Sequence, residues 1–136
     1  MSAKLQVLVI DDDAVVGRSF DRVLSEKGYD VSTVLSGEEA LETMEDNNFD
    51  VVMLDLRMPG LDGMEVLKTI KQRWPDSEVI VVTGYPSIET AKEAVRLGAF
   101  NYLTKPLGPD EVIKAANDAV IQKRWALRSQ NEFTIN

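Results

Sequence analysis

Hydrophobic residues along the chain follow two kinds of spacing. Five short apolar runs, rich in β-branched residues, predict β-strands at Leu5–Ile10, Val31–Leu35, Asp50–Leu54, Glu78–Thr83 and Asn101–Thr104. Most of them lack the alternation of a half-exposed strand, which is typical of strands that helices cover on both faces. We therefore expect a sheet buried between two layers of helices.

The segments between these runs have helical spacing, with apolar residues three and four positions apart. A capping box at Ser36–Glu39 and a first-turn proline at Pro109 mark two helix starts. The order βαβαβαβαβα predicts an α/β fold, a doubly wound five-stranded parallel sheet of the flavodoxin-like type. The predicted helix faces are Val16, Phe20, Val23 and Leu24; Ala40, Leu41 and Met44; Met64, Leu67, Ile70 and Trp74; Ile88, Ala91 and Val95; and Val112, Ile113, Ala116 and Val120.

The amino-acid composition limits the kinds of chemistry that the chain can carry out. The 136 residues carry 15 basic and 23 acidic side chains, a net charge of -8, with no cysteine and no histidine. This length fits one ordinary domain. The two absences exclude disulfides, thiolate metal sites, a cysteine nucleophile and a histidine base. The acidic balance argues against direct binding to nucleic acid or to an anionic membrane, and without a visible targeting segment we expect a cytoplasmic protein.

Polar side chains follow four of the five predicted strands. Three aspartates beginning at Asp11 follow the first, Asp55 follows the third, Thr83 closes the fourth and Lys105 follows the fifth. The carboxyl ends of parallel strands share one edge of the sheet, so we expect these groups to lie together. Clustered carboxylates raise one another's pKa and favour a hard divalent cation, which on oxygen ligands would be Mg²⁺, Mn²⁺ or Ca²⁺. The set suits phosphoryl transfer, which needs positioning and charge neutralisation. We expect Asp13 to cap the first helix.

With these residues at its strand ends, the sequence resembles the receiver domain of two-component response regulators over about residues 4–122. The segment Gly98–Pro106 is most similar to regulators that feed a σ54-dependent activator module. Residues 1–122 are accordingly expected to form the receiver domain, and 123–136 a helical extension or linker. The motifs that carry the resemblance are Val7–Asp13, Asp50–Gly60, Val81–Gly84 and Tyr102–Pro106.

The resemblance implies a phosphoacceptor with a metal site beside it. Asp55 would accept the phosphoryl group from a sensor histidine kinase or a phosphotransfer protein. Asp12 and Asp55 would bind Mg²⁺ directly, Asp11 through water and Arg57 through its backbone carbonyl oxygen. The chain would then be a signalling domain that catalyses only its own phosphorylation and slow dephosphorylation.

The resemblance also implies a switch. Thr83 would hydrogen-bond the phosphoryl group, Lys105 would pair with it, and the Lys105–Pro106 peptide would be cis. Tyr102 would turn inward as Thr83 moves toward the phosphate. The surface formed by the fourth helix, fifth strand and fifth helix would then change for a downstream output domain or protein, or for a second copy in a homodimer.

Two side chains are expected to overhang the phosphoryl group. Arg57 and Tyr85 stand two positions beyond Asp55 and Thr83. A bulky aromatic ring there would screen the phosphorus from water, which predicts slow self-dephosphorylation and faster loss in Tyr85→Ala.

Three alternatives stay open at this stage. The loop that begins at Asp11 also fits haloacid-dehalogenase-type phosphatases, with Asp11 as nucleophile and Asp13 as acid/base, but Asp55 then has no role. A degenerate receiver that only docks partners would be favoured had a site residue been replaced. The tail is either the last turns of the fifth helix or a linker and dimer contact anchored by Trp125 and Leu127.

Overall fold

Strands and helices alternate along the described part of the chain. The computed structural model describes residues 4–58 and 60–135, with side chains through Ser129. Pro59, in the predicted turn after Asp55, lies outside the described residues, as do residues 1–3 and Asn136 at the ends of the predicted domains. The elements are β1 (Gln6–Ile10), α1 (Ala14–Ser25), β2 (Asp30–Val34), α2 (Gly37–Asp46), β3 (Val51–Leu54), α3 (Gly63–Arg73), β4 (Glu78–Thr83), α4 (Ile88–Arg96), β5 (Asn101–Thr104) and α5 (Pro109–Ile135).

All five strands form one parallel sheet in the order β2-β1-β3-β4-β5. The predicted doubly wound α/β fold is confirmed. Three predicted strands extend one residue too far, at Leu5, Leu35 and Asp50. Leu35 is half exposed and directly precedes Ser36, the cap of α2, so it belongs to the connection.

Two apolar layers cover the sheet because successive strand residues point to opposite faces. Val7 and Val9 of β1 pack against the layer that contains α1 and α5, whereas Leu8 and Ile10 pack against the layer of α2, α3 and α4. All four side chains are almost completely buried. Both faces of the sheet are therefore closed, and polar chemistry is confined to its two edges and its connections.

Helix α4 is where the predicted apolar face is wrong. Ile88 and Val95 are 75% and 65% exposed, while Ala94 is fully buried against the sheet. The helix is turned so that the small side chain of Ala94 makes the close contact with the sheet. Its larger apolar side chains consequently lie on the surface.

The helix caps follow the sequence more closely. The Asp13 carboxylate accepts the backbone N–H of Val15 at 2.9 Å, and the Ser36 hydroxyl accepts that of Glu39 at 3.1 Å. Each cap satisfies an N–H that has no partner within the helix. Among the described helices, none combines the length and the apolar character needed to cross a membrane.

Candidate functional site

Two buried aspartates form the floor of the carboxyl edge of the sheet. Asp11 directly follows β1 and Asp55 directly follows β3, and both side chains are buried. The ladder continues past the strands, because the N–H of Asp11 donates to Val34 O at 3.2 Å and that of Asp55 to Ile10 O at 3.0 Å. The sheet itself therefore fixes the two carboxylates side by side.

Lys105 bridges these carboxylates from the end of β5. Its Nζ lies 2.7 Å from Asp11 Oδ2 and 3.2 Å from Asp55 Oδ2. The backbone N–H of Lys105 donates to Thr83 O at 2.8 Å, and the Lys105–Pro106 peptide is cis. One backbone hydrogen bond to β4 thus holds the lysine, and its ammonium group reaches the two buried carboxylates.

Asp12 adds a third carboxylate at the solvent side. Oxygen atoms of Asp11, Asp12 and Asp55 all lie within 4.8 Å of one another. The second oxygens of the buried pair are already held, because Asp11 Oδ1 accepts the N–H of Asp13 at 2.9 Å and Asp55 Oδ1 that of Arg57 at 3.1 Å. Three convergent carboxylates with one exposed member are the hard oxygen ligands that suit Mg²⁺.

The electrostatics of the site follow from burial and crowding. Burial raises the pKa of Asp55, and the charge of Asp11 raises it further, against the opposing effects of the Arg57 N–H and Lys105. For Lys105, burial alone would lower the pKa, but hydrogen bonds and charge from Asp11 and Asp55 outweigh it and the pKa is raised. Lys105 therefore stays charged, while the carboxylates carry more negative charge than one lysine neutralises.

Thr83, Arg57 and Tyr85 border the same edge. Thr83 is 1% exposed, and its Oγ1 accepts the backbone N–H of Tyr85 at 3.0 Å. The Arg57 guanidinium stacks over the Tyr85 ring at 4.1 Å from its centroid, and that ring is 66% exposed. The two residues that the sequence pairs as an overhang thus contact each other, with the cation–π geometry that favours such stacking.

Tyr102 is half-buried and bonded to the start of α4. Its hydroxyl lies 2.6 Å from Thr90 Oγ1 and accepts the backbone N–H of Ser87 at 3.3 Å. The sequence prediction missed both partners of Tyr102. The available signal was the spacing of Ser87 and Thr90, which marks a helix cap; the Ser87 hydroxyl accepts the Thr90 N–H at 3.0 Å.

Comparison with known proteins assigns this site to a family. Residues 7–117 match the family model described as the response regulator receiver domain. The chain belongs to the response regulator receiver domain family. Its buried aspartates, lysine and threonine lie on the strand ends where the sequence predicted them.

Two similar regulatory proteins of Escherichia coli match most of the chain. It is 39% identical over 114 residues to the DNA-binding transcriptional regulator NtrC of Escherichia coli K12, which covers 84% of this chain and 24% of that protein. It is also 33% identical over 132 residues to the regulatory protein AtoC of the same strain, covering 97% of this chain and 28% of that protein. The chain thus spans about a quarter of the length of these relatives.

Solved receiver domains have the same fold over most of their length. The response regulator receiver domain protein of Clostridium thermocellum superposes with a TM-score of 0.83 at 35% identity, covering 90% of this chain and 98% of that one. The phosphatase alternative gains no support from these comparisons. Asp13, which would be the acid/base of such a phosphatase, instead caps α1, as the sequence predicted.

Proposed function

We propose that Asp55 of this receiver domain is the phosphoacceptor. The observation that carries the proposal is the contact between Lys105 Nζ and both buried carboxylates, 3.2 Å from Asp55 and 2.7 Å from Asp11. Asp55 is one of the three clustered carboxylates, and its backbone N–H donates to Ile10 O at 3.0 Å, which fixes it beside β1. A nucleophile fixed beside a permanent cation suits attack on an anionic donor.

The donor in this proposal is a phosphohistidine of a sensor kinase or phosphotransfer protein. An oxygen of Asp55 attacks the phosphorus, and the new P–O bond forms as the P–N bond to the imidazole breaks. The leaving nitrogen keeps the electron pair of that bond. Lys105 stays protonated and binds the phosphoryl oxygens, while the Thr83 hydroxyl, which already lies at this edge, donates a hydrogen bond to them.

Asp11, Asp12 and Asp55 would hold Mg²⁺, with the Arg57 carbonyl as the further oxygen ligand in this proposal. When bound, the ion supplies positive charge that neutralises the cluster and the incoming phosphoryl group. A cation is needed because two buried carboxylates and one exposed carboxylate face a single lysine. Mn²⁺ would fit the same oxygen ligands.

The output of the proposed switch runs through Tyr102 and α4. Movement of Thr83 toward the phosphoryl group would displace the loop that connects β4 to α4. The start of α4 is hydrogen-bonded to the Tyr102 hydroxyl through Thr90 and Ser87. The surface of α4, β5 and α5 would change with it. The similarity to NtrC, a DNA-binding transcriptional regulator, supports a transcriptional output of the σ54-dependent type carried by another domain or protein.

Intact-mass measurement with a small phosphodonor such as phosphoramidate tests the acceptor. We expect one added phosphoryl group that depends on Mg²⁺, maps to Asp55 and is absent in Asp55→Asn. Asp11→Asn, which removes a neighbouring buried carboxylate, should slow the reaction without moving the label. A label on Asp11 that persists in Asp55→Asn would overturn the proposal in favour of phosphatase chemistry. A properly folded chain that takes up no phosphoryl group would indicate a receiver that only docks partners.

A further inference from the structure

The loop between β3 and α3 carries part of the proposed site. It starts at Asp55 and reaches Asp62, which caps α3 by accepting the backbone N–H of Met64 at 3.1 Å. The site itself holds the first turn of this loop, because Asp55 Oδ1 accepts the N–H of Arg57 at 3.1 Å. The position of the Arg57 carbonyl, the further metal ligand proposed above, therefore depends on what holds the rest of the loop.

A carboxylate from another helix holds the end of the loop next to α3. Glu38, in the first turn of α2, accepts the backbone N–H of Leu61 at 2.8 Å through Oε1. The same oxygen lies against Gly60, where a Cβ would be only 3.1 Å from it. Gly60 also has a φ of +89°, which favours glycine. The loop is thus bonded to the Asp55 carboxylate at one end and to the Glu38 carboxylate at the other.

Helix α2 begins close enough to α3 for this bond to form. A Cβ at Gly37 would lie 2.5 Å from Val66 Cγ2 and 3.6 Å from Leu61 Cβ, so the glycine permits the close approach. The cap of α2 fixes the same turn, because the Ser36 hydroxyl accepts a backbone N–H of that turn at 3.1 Å. The carboxylate of the next residue, Glu38, is therefore presented to the loop from a fixed helix start.

The electrostatics of α2 keep Glu38 charged. Its own backbone N–H and that of Leu61 both donate to the charged form and lower the pKa of its carboxyl. The positive end of the helix dipole also favours a negative charge in this turn. Glu38 is exposed, and water competes for its hydrogen bonds. We therefore expect the bond to Leu61 to order the loop locally and to contribute little to the stability of the whole domain.

We propose that Glu38 is a positioning residue for the phosphoacceptor site, which orders the loop so that the Arg57 carbonyl is in place before Mg²⁺ binds. This role rests on the proposed function, because it assumes that the ion binds at the clustered carboxylates. Without the bond from Glu38 to Leu61, the loop loses its freedom only when the ion binds, and that loss of entropy weakens binding. The variant should therefore need more Mg²⁺ but react at nearly the parent rate once Mg²⁺ is saturating.

Calorimetric titration of the full chain with Mg²⁺ alone measures this effect. We expect Glu38→Ala to raise the dissociation constant about fivefold, as the loss of one hydrogen bond predicts. Glu38→Gln keeps an oxygen that can accept the Leu61 N–H and should bind Mg²⁺ nearly as tightly as the parent chain. Glu39→Ala is the matched control for charge, because it removes the same charge from the same helical turn and leaves the bond from Glu38 to Leu61 in place. Equal weakening in all three variants would indicate a general charge effect and contradict the proposal.

Amide hydrogen exchange in the absence of metal separates positioning from unfolding. The Leu61 N–H should exchange severalfold faster in Glu38→Ala than in Glu38→Gln or Glu39→Ala, while the thermal midpoints stay matched. Phosphorylation of Glu38→Ala by phosphoramidate should be slow at limiting Mg²⁺ and recover at saturating Mg²⁺. A rate that saturating Mg²⁺ does not restore would mean that Glu38 acts in some other way.

Two results would distinguish failure of this role from failure of the proposed function. If the parent chain is phosphorylated on Asp55 and Glu38→Ala binds Mg²⁺ as tightly as the parent, the positioning role alone is wrong. If the parent chain itself binds no Mg²⁺, the proposed metal site and the role of Glu38 are both wrong.

Discussion

Strand β3 has an aspartate at each end, and each aspartate contacts a lysine. At the amino edge of the sheet, Asp50 contacts Lys123 at 2.5 Å. At the carboxyl edge, Asp55 contacts Lys105 at 3.2 Å. The residue types are the same, both pairs are largely shielded from solvent, and both join distant parts of the chain.

The difference lies in the number of charges. Asp50 has one lysine to itself, and its other oxygen accepts the N–H of Gln6 at 2.8 Å. Lys105 is shared between Asp55 and Asp11, and Asp12 stands beside them. The amino edge thus contains a balanced ion pair, whereas the carboxyl edge contains an excess of negative charge that a cation or a change of protonation must relieve.

This comparison shows how a site for chemistry can be distinguished from a structural ion pair. A balanced pair has satisfied partners and gains nothing by binding an ion. An excess of fixed carboxylates is maintained at a cost to folding and becomes favourable only when a cation arrives. The following predictions test this difference by changing one edge and using the other as its control.

The largest effect is expected from removing each lysine in turn. Lys105→Met should slow phosphorylation by a small phosphodonor about 100-fold or more, because it removes a fixed positive charge from the reacting group. Lys123→Met should leave that rate nearly unchanged. The rate of appearance of the phosphorylated mass measures both. Equal loss in the two variants, with thermal midpoints matched, would mean that the edges do not differ in the way described.

The stabilisation by Mg²⁺ should be the next largest difference between the two edges. Mg²⁺ at about a hundredfold above its dissociation constant should raise the thermal midpoint by about 5–10 °C, because an ion that binds only the folded chain stabilises it. Asp12→Asn should reduce this shift strongly, since Asp12 is one of the three clustered carboxylates. Asp50→Asn should keep it, and chelation should reverse it. A shift that is kept in Asp12→Asn but lost in Asp50→Asn would place the ion at the amino edge and contradict the prediction.

The two aspartates of β3 should have opposite effects on stability without metal. Asp50→Asn should lower the free energy of unfolding by about 1 kcal/mol, because it leaves Lys123 without its partner. Asp55→Asn should raise it at neutral pH, because burial penalises the Asp55 charge. Urea unfolding in the presence of a chelator measures both. Destabilisation by Asp55→Asn as large as that by Asp50→Asn would contradict the idea of excess charge.

Much of the carboxyl edge was predictable from local sequence. The apolar runs end at Ile10, Leu54 and Val82, and a polar residue directly follows each of them. Parallel strands must deliver those polar residues to one edge of the sheet. The placement of Asp11, Asp55 and Thr83 therefore needed only the strand ends and the handedness of the connections. The same reasoning gave the fold.

Other contacts depend on packing that no local pattern records. Lys123 and Asp50 are 73 residues apart, and nothing in either segment indicates the other. The bond between Tyr102 and Thr90 depends on how far α4 is turned on the sheet. That rotation is set by the close approach of Ala94, which also exposes the apolar face that the spacing of α4 would bury.

A smaller effect is expected at the overhang of the carboxyl edge. Tyr85→Ala should shorten the lifetime of phosphorylated Asp55 about threefold, because the ring that Arg57 stacks on no longer excludes water. Tyr85→Phe, which keeps an aromatic ring for Arg57, should retain most of the lifetime. The decay of the phosphorylated mass after removal of the donor measures it. An unchanged lifetime in Tyr85→Ala would show that the ring does not shield the phosphorus.

The smallest effect concerns the other acidic residue of the amino edge. Glu78 is 13% exposed at its side chain and lies 3.8 Å from Lys71, too far for a short ion pair. Burial raises its pKa in spite of the charges of Lys71 and Lys123. A carboxyl whose pKa is raised by folding binds its proton more tightly in the folded state, so stability falls as pH rises from the unfolded pKa through the folded one.

Glu78→Gln should therefore be more stable than the parent chain at pH 7, by about 1–3 °C in thermal midpoint, and the advantage should fade below pH 4. Lys71 keeps its bonds to Pro75 O at 2.8 Å and Ser77 O at 2.9 Å, so the substitution leaves no buried cation without a partner. Thermal midpoints from pH 4 to pH 8 measure the difference. A variant that loses stability as pH rises relative to the parent would mean that Glu78 belongs to a balanced pair like that of Asp50. The expected result is an advantage that grows with pH. It would mean that both edges contain uncompensated negative charge, and that the carboxyl edge differs because several carboxylates converge on one point there.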